Sequence, residues 1–285
     1  MRISIGLIFS LLLGSSFVKA QNCPDPPKII MGPDMNVCDG GSVMMDVVLE
    51  GAVSTTEWIG GKGQFESRYT VPGEYTPSQD EVGKTIDFKL IAKSSNKECK
   101  SDTAHVRLTV NPQPVVSAGG NLRVCAGGQA TMKPEITGAY ASVTWSTTGT
   151  GTFDDPHKAT AVYTPSLKDI GMGAVTLELL VQPQGVCLEV KDAIALSIEQ
   201  PPVVTLTDSV LNISSASPYK IEGSTNGLKN TCLWTTTGTG TFTSPTHFQT
   251  TYEPSSEDVK NPDLKLVLTV TSATKTCVTK KEMRR

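Results

Sequence analysis

Residues 145–153 read WSTTGTGTF, and residues 234–242 repeat the phrase as WTTTGTGTF. A looser version, WIGGKGQF, occupies residues 58–65. Each stretch closes on a Phe, and ten residues later a Tyr follows, so that three aromatic positions recur along the chain. They are Trp58, Trp145 and Trp234; Phe65, Phe153 and Phe242; and Tyr75, Tyr163 and Tyr252. Spacings of 87 to 89 residues at all three positions indicate a repeat of about 88 residues.

Pro-rich joints mark the borders of the repeats: CPDPPKI at 23–29, NPQPVV at 111–116 and EQPPVV at 199–204. We therefore predict repeat 1 at 21–112, repeat 2 at 113–200 and repeat 3 at 201–285. Inside a repeat, apolar residues alternate with polar ones, as in Val175, Leu177 and Leu179, which is typical of half-buried strands. About seven short strands and one early Trp per repeat indicate an all-β chain, a tandem array of three immunoglobulin-like antiparallel β-sandwich domains. The recurring Trp, Phe and Tyr residues are its expected structural core.

The first twenty residues, MRISIGLIFSLLLGSSFVKA, combine a positive start, an apolar run and small residues before the expected cleavage point. This pattern predicts a signal peptide at 1–20, too short to span a bilayer. The protein is then secreted, extracellular or on the outer cell surface, with the periplasm as a further option. The whole chain carries 25 basic and 28 acidic residues, a net charge of −3, which excludes binding of nucleic acid through a broad basic surface.

All seven cysteines follow the signal peptide, and in an oxidising compartment they are expected to form disulfides. Cys38 and Cys125 each precede a core Trp by 20 residues, and cysteines follow them 61 and 62 residues later. The equal spacing predicts the pairs Cys38–Cys99 and Cys125–Cys187.

The third repeat breaks this cysteine pattern. Ser214 stands where the first cysteine is expected, and Cys232 lies two residues before Trp234. Residues two apart on a strand face the same side, so we expect Cys232 to point inward and pair with Cys277. Cys23 is then left over, either free, intermolecular or lipidated.

The end of the third repeat also departs from the others. Apolar residues follow Cys99 and Cys187 at offsets 7, 9 and 11, whereas only VTKKEMRR follows Cys277. We therefore expect repeat 3 to lack its final strand. Two explanations stay open: the sequence is a fragment of a longer protein, or the exposed edge accepts strand donation from a partner.

Residues suited to catalysis or metal binding do not recur with the repeat. His105, His157 and His247 lie out of register in different repeats, so no catalytic set and no enzyme activity are expected. Asp154, Asp155 and Asp169 carry the oxygen ligands that calcium prefers, which makes calcium the one cofactor to consider.

The unit VCAGG…VTWSTTGTGTF…YTPS…D…VTLELLV…C…LSI…PPVV, within residues 115–204 and their immediate upstream text, resembles the PKD-like, immunoglobulin-like repeats of large secreted surface proteins of Bacteroidota. Many of those proteins are associated with gliding motility and type IX secretion. The resemblance implies a stalk, spacer or adhesion module whose partners are other surface proteins or extracellular polymers. Two alternatives remain: accessory domains of a larger secreted modular enzyme, or a glycan-binding module.

Overall fold

The computed structural model describes residues 23–227 and 229–285. The predicted signal peptide, 1–20, lies outside the described residues. Within them the chain is almost entirely β-structure with one short α-helix. It forms two compact units: unit 1 runs to Pro112 and includes 185–187, and unit 2 comprises 113–184 and 188–285. No helix among the described residues has the length and apolar character needed to cross a membrane.

Unit 1 contains the nine strands of repeat 1. They are β1 (Lys28–Met31), β2 (Met35–Cys38), β3 (Val43–Met45), β4 (Val47–Glu50), β5 (Thr55–Ile59), β6 (Gln64–Phe65), β7 (Gly73–Thr76), β8 (Thr85–Lys93) and β9 (Asp102–Asn111). One sheet has the order β2-β9-β8-β5, a second β3-β7-β6, and β1 pairs with β4. Only β2 and β9 among these pairs run parallel. The buried positions of β8 and β9 alternate, which explains the apolar period of two.

Repeat 2, in unit 2, repeats this plan strand for strand. Its strands are β10 (Val115–Ser117), β11 (Leu122–Cys125), β12 (Ala130–Thr131), β13 (Glu135–Thr137), β14 (Tyr140–Thr147), β15 (Thr152–Phe153), β16 (Val162–Thr164), β17 (Ala174–Pro183) and β18 (Val190–Glu199). The sheets are β11-β18-β17-β14, β12-β16-β15 and β10-β13. A helix, α1 (Leu167–Met172), connects β16 to β17; it begins at the Ser166 cap and ends at Gly173 in the left-handed region.

Repeat 3 is also in unit 2 and has seven strands. They are β19 (Val204–Leu206), β20 (Tyr219–Thr225), β21 (Thr231–Thr236), β22 (Thr241–Phe242), β23 (Gln249–Glu253), β24 (Lys265–Thr271) and β25 (Val278–Arg284). They form the sheets β19-β20-β23-β22 and β21-β24-β25. A single parallel bridge, Val210 to Arg284, stands where β11 pairs with β18 in repeat 2.

The expectation that repeat 3 lacks its final strand is wrong. Strand β25 pairs along its whole length with β24, and Met283 lies opposite Leu266 just as Ile194 lies opposite Leu177 in repeat 2. The count from cysteine misplaced the register, because Ile194 is seven residues after its hairpin cysteine and Met283 is six after Cys277. Met283 is buried, so the edge expected to accept a donated strand is already closed by the chain's own strand.

Each repeat has its own hydrophobic cluster, built around the recurring aromatic residues. The three Trp and three Tyr side chains are at most 2% exposed, and the Phe rings are half-buried. Trp–Phe ring centroids are 6.2 to 6.3 Å apart and Phe–Tyr centroids 4.8 to 5.0 Å. Each Trp Nε1 donates to a backbone carbonyl, that of Thr70, Ala159 or His247. The aromatic triplet is therefore one packing unit used three times.

Candidate functional site

A buried carboxylate lies beside the Tyr of every repeat: Glu81, Asp169 and Asp258, none more than 5% exposed. In repeat 2, Asp169 Oδ2 accepts hydrogen bonds from the Tyr163 hydroxyl at 2.8 Å and from the Ser166 and Gly151 amides at 3.0 and 2.8 Å. Its other oxygen accepts from the Thr150 amide at 2.8 Å. The carboxylate thus holds the GTG loop, the Tyr ring and the start of α1 together.

Repeats 1 and 3 build the same arrangement. Glu81 accepts from the Tyr75 hydroxyl at 2.6 Å, and Asp258 accepts from the Tyr252 hydroxyl at 2.7 Å. The sequence carried a signal that our reading missed. The carboxylate always lies three residues after a Ser, as at Ser78, Ser166 and Ser255, the capping-box spacing, in register with the repeat.

Hydrogen bonding decides the charge state of these groups. Burial alone would raise the pKa of Asp169, but the bonds from Ser166, Thr150, Tyr163 and Gly151 outweigh burial and lower the pKa to about 2. Burial and the neighbouring carboxylate raise the pKa of Tyr75 to about 12. Each pair is therefore an ionised carboxylate and a neutral phenol.

This assignment changes the expectation for calcium. Both oxygens of Asp169 receive protein donors, so this residue secures a loop and offers no free oxygen to a cation. Asp154 accepts from the Val162 amide at 2.6 Å, and Asp155 accepts from the His157 amide at 2.9 Å. The three aspartates therefore serve local turns.

The GTG loop requires its glycines because it lies against the carboxylate and the Tyr. A Cβ on Gly151 would lie 2.4 Å from the Thr164 carbonyl oxygen and 2.6 Å from the Tyr163 hydroxyl. Any larger residue would displace the backbone from the carboxylate.

The cysteines pair differently from the sequence prediction. The disulfides are Cys23–Cys99, Cys38–Cys187 and Cys125–Cys277, with Cα–Cα distances of 5.0, 5.0 and 5.1 Å. Cys232 is a buried free thiol, and burial raises its pKa. The predicted pairs Cys38–Cys99, Cys125–Cys187 and Cys232–Cys277 are wrong, and Cys23, expected to be left over, is paired.

Strand geometry explains the error. Cys38 lies opposite Asn111, the last residue of β9, whereas Cys99 precedes the first residue of that strand. Ten residues of extended chain separate those ends by about 30 Å, far beyond the reach of a disulfide. Cys125 lies opposite Glu199 at the end of β18 in the same way, with Cys187 before its start.

Two of the disulfides share one local geometry, which we call the clasp: a strand-end cysteine, its register partner and a hairpin cysteine from the following repeat. In one clasp, Cys187 Sγ lies 3.5 Å from the carbonyl oxygen of Asn111, opposite Cys38. In the other, Cys277 Sγ lies 3.4 Å from the carbonyl oxygen of Glu199, opposite Cys125.

Polar side chains reinforce the clasp around Cys277 inside unit 2. Glu199 accepts a hydrogen bond from the Thr274 hydroxyl and pairs with Arg123, Nη1 to Oε1, at 3.0 Å. These two partners, Thr274 first, lower the pKa of Glu199. In the chain-entropy model, a disulfide closing about 150 residues stabilises the folded state by about 5 kcal/mol, so the covalent bond dominates this clasp.

The two clasps make this a tandem immunoglobulin-like β-sandwich protein whose successive repeats are joined by disulfides. A scan against protein-family models and a search of the curated proteins found no match.

Solved structures resemble the chain at the level of the fold. The titin I-band fragment I67–I69 has a TM-score of 0.45 at 13% identity, covering 90% of this chain and 96% of that one. Sidekick-1 immunoglobulin domains 1–5 give 0.43 at 9%, covering 90% of this chain and 58% of that one. The N-terminal eight immunoglobulin domains of Down Syndrome Cell Adhesion Molecule give 0.40 at 14%, covering 91% and 42%. This chain therefore spans about half the length of the last two.

Proposed function

We propose that the protein is a non-catalytic spacer or adhesion module of the cell surface or extracellular space, made of three serial sandwiches. The observation that carries the proposal is the pairing of hairpin cysteines with the strand-end cysteines of the preceding repeat, Cys187 with Cys38 and Cys277 with Cys125. A covalent bond from each repeat to the next adds nothing to a reaction centre, but it does keep a series of domains connected in order.

The sequence resemblance supports the finer part of the proposal. It favours a surface protein of Bacteroidota of the kind associated with gliding motility and type IX secretion, exported by the predicted signal peptide at 1–20. Three disulfides in the described chain fit an oxidising compartment. The partners we propose are other surface proteins or extracellular polymers.

A height measurement tests the spacer role. The chain from Gln21 to Arg285, immobilised through a tag after Arg285, carries a fluorophore at its N-terminus, and the distance of the fluorophore from the surface is measured by metal-induced energy transfer. We expect a height that does not change with grafting density or salt, because folded domains do not stretch when crowded. A height that rises steadily with density, as for a flexible coil, would refute the spacer role.

The same surface distinguishes adhesion from simple spacing. Beads coated with the chain are mixed with each other and with beads carrying extracellular polysaccharide. Clustering that depends on the chain identifies an adhesion module, and a constant height without clustering identifies a spacer. Turnover of a polysaccharide or peptide substrate by the purified chain would contradict both.

A further inference from the structure

We propose that the disulfides make this protein a length-limited tether: force applied at its ends is carried by two disulfides and two short segments, whatever happens to the sandwiches. The proposal deepens the spacer role and rests on it, because only a spacer held at both ends is pulled. It follows from the order of the cysteines along the chain.

The shortest covalent route from Cys23 to Arg285 uses the bonds Cys23–Cys99 and Cys125–Cys277. Between them it follows the backbone from Cys99 to Cys125, 26 residue steps, and then the 8 steps from Cys277 to Arg285. The route therefore has 34 steps, compared with 262 along the uninterrupted backbone. At about 3.5 Å per extended residue, it reaches about 120 Å in place of about 900 Å.

Residues outside this route hang in closed loops once the route is taut. They are 24–98 and 126–276, which include the core Trp of every repeat. Unfolding of a sandwich in those loops therefore lengthens the tether little, and the sandwich can refold while the ends remain held. Repeat 1 contributes β9 to the taut route and repeat 3 contributes β25.

The staggered pairing is what creates this limit. The pairs expected from spacing within each repeat would leave 94 steps on the shortest route: 15 before Cys38, 26 from Cys99 to Cys125, 45 from Cys187 to Cys232 and 8 after Cys277. That route would extend to about 330 Å. Bonding to the preceding repeat thus shortens the limit almost threefold.

The third disulfide, Cys38–Cys187, lies off the shortest route. Its removal leaves the 34 steps unchanged, whereas removal of Cys125–Cys277 reroutes the force through it, from Cys23 to Cys38 and from Cys187 to Arg285. That route has 113 steps, about 400 Å when extended. The two deletions therefore have opposite predicted outcomes, and each is a control for the other.

Stretching single molecules in magnetic tweezers tests the tether. The full chain from Gln21 to Arg285 is held by handles at its two ends, with and without reductant. We expect an oxidised limit near 120 Å and a nearly eightfold increase on reduction. The double variant Cys38→Ser, Cys187→Ser is expected to keep the wild-type limit, and Cys125→Ser, Cys277→Ser to raise it more than threefold.

The result does not depend on folding, because a covalent limit persists when the molecules are stretched in urea. An oxidised wild-type limit of about 330 Å or more would overturn the proposal, as would lengthening on loss of Cys38–Cys187. Peptide mapping of the same samples without reductant verifies the bonds in each variant. A chain whose height varies with grafting density but whose extension stops near 120 Å would contradict the spacer role alone.

Discussion

Replacing Asp169 with Asn removes the charge from the carboxylate that holds the GTG loop while keeping the size of the side chain. Asp169 accepts three backbone amides and one hydroxyl, all within 3.0 Å, and it has no exposed surface. The Asn amide nitrogen is a donor and would face donors on one side. Two buried donors then lose their acceptor, at about 1–3 kcal/mol each, so we expect repeat 2 to lose about 3–5 kcal/mol at pH 7.

The pH dependence gives a second, independent number. The folded-state pKa of Asp169 is lowered from 3.8 to about 2, so its stabilising contribution is complete above pH 4 and is lost as the pH falls through 2. A shift of this size corresponds to about 2 kcal/mol. Because Asn does not titrate, the gap between wild type and Asp169→Asn should narrow by about that amount between pH 4 and pH 2.

Urea unfolding read by a short hydrogen-exchange pulse measures both effects. A peptide from β14 reports on repeat 2 separately from the other repeats, and the exposed Asp263→Asn in repeat 3 is the matched control. A loss below about 1 kcal/mol at pH 7, or a gap that stays constant down to pH 2, would refute the role assigned to the carboxylate.

Three further predictions concern the loop, the last strand and the free thiol. Gly151→Ala should destabilise repeat 2 by about 1–3 kcal/mol in the same pulse experiment, while Gly171→Ala in α1, where a Cβ meets no atom within 4 Å, should stabilise it by roughly 0.5–1 kcal/mol; equal effects would contradict the loop contacts. Met283→Ala should cost repeat 3 about 2–5 kcal/mol in urea unfolding, and a change near zero would mean that β25 is not part of the core. Cys232→Ala should leave all three disulfides in a peptide map made without reductant; the appearance of Cys277 as a free thiol would show instead that the two were bonded.

The period and the core could be predicted because they are written locally. Each repeat carries its own Trp, Phe and Tyr and its own alternating strands, so the sequence specifies one sandwich three times. Packing of this kind needs only residues within one period. The buried aromatic triplets and the paired β-strands correspond to those patterns residue by residue.

The disulfides could not be predicted from spacing, for a reason that lies in the repeat itself. A partner in the same repeat and a partner in the next differ by one period, so Cys99 and Cys187 are equivalent choices for Cys38. Counting the residues would have favoured the observed choice. Shifting every hairpin cysteine by one repeat gives a partner to six of the seven cysteines, including Cys23, and accounts for Ser214.

The last strand shows how a small insertion defeats counting. One additional residue separates Leu268 from Cys277 compared with Leu179 and Cys187, and this moves Met283 to the core position. Strand register is set by which face is buried, and a fixed offset from a loop residue does not report it.

Staggered pairing also sets the order in which the chain matures. A chain that emerges N-terminus first exposes Cys38 149 residues before its partner Cys187, and Cys125 152 residues before Cys277. At about 5–20 residues per second, each of these thiols waits about 10–30 s while other cysteines pass. Cys99, 76 residues after Cys23, closes the first bond early and removes the nearest wrong partner of Cys38. Oxidation in order of emergence therefore favours the native connectivity, and a thiol oxidase that acted out of sequence would lock the repeats into the wrong pairs.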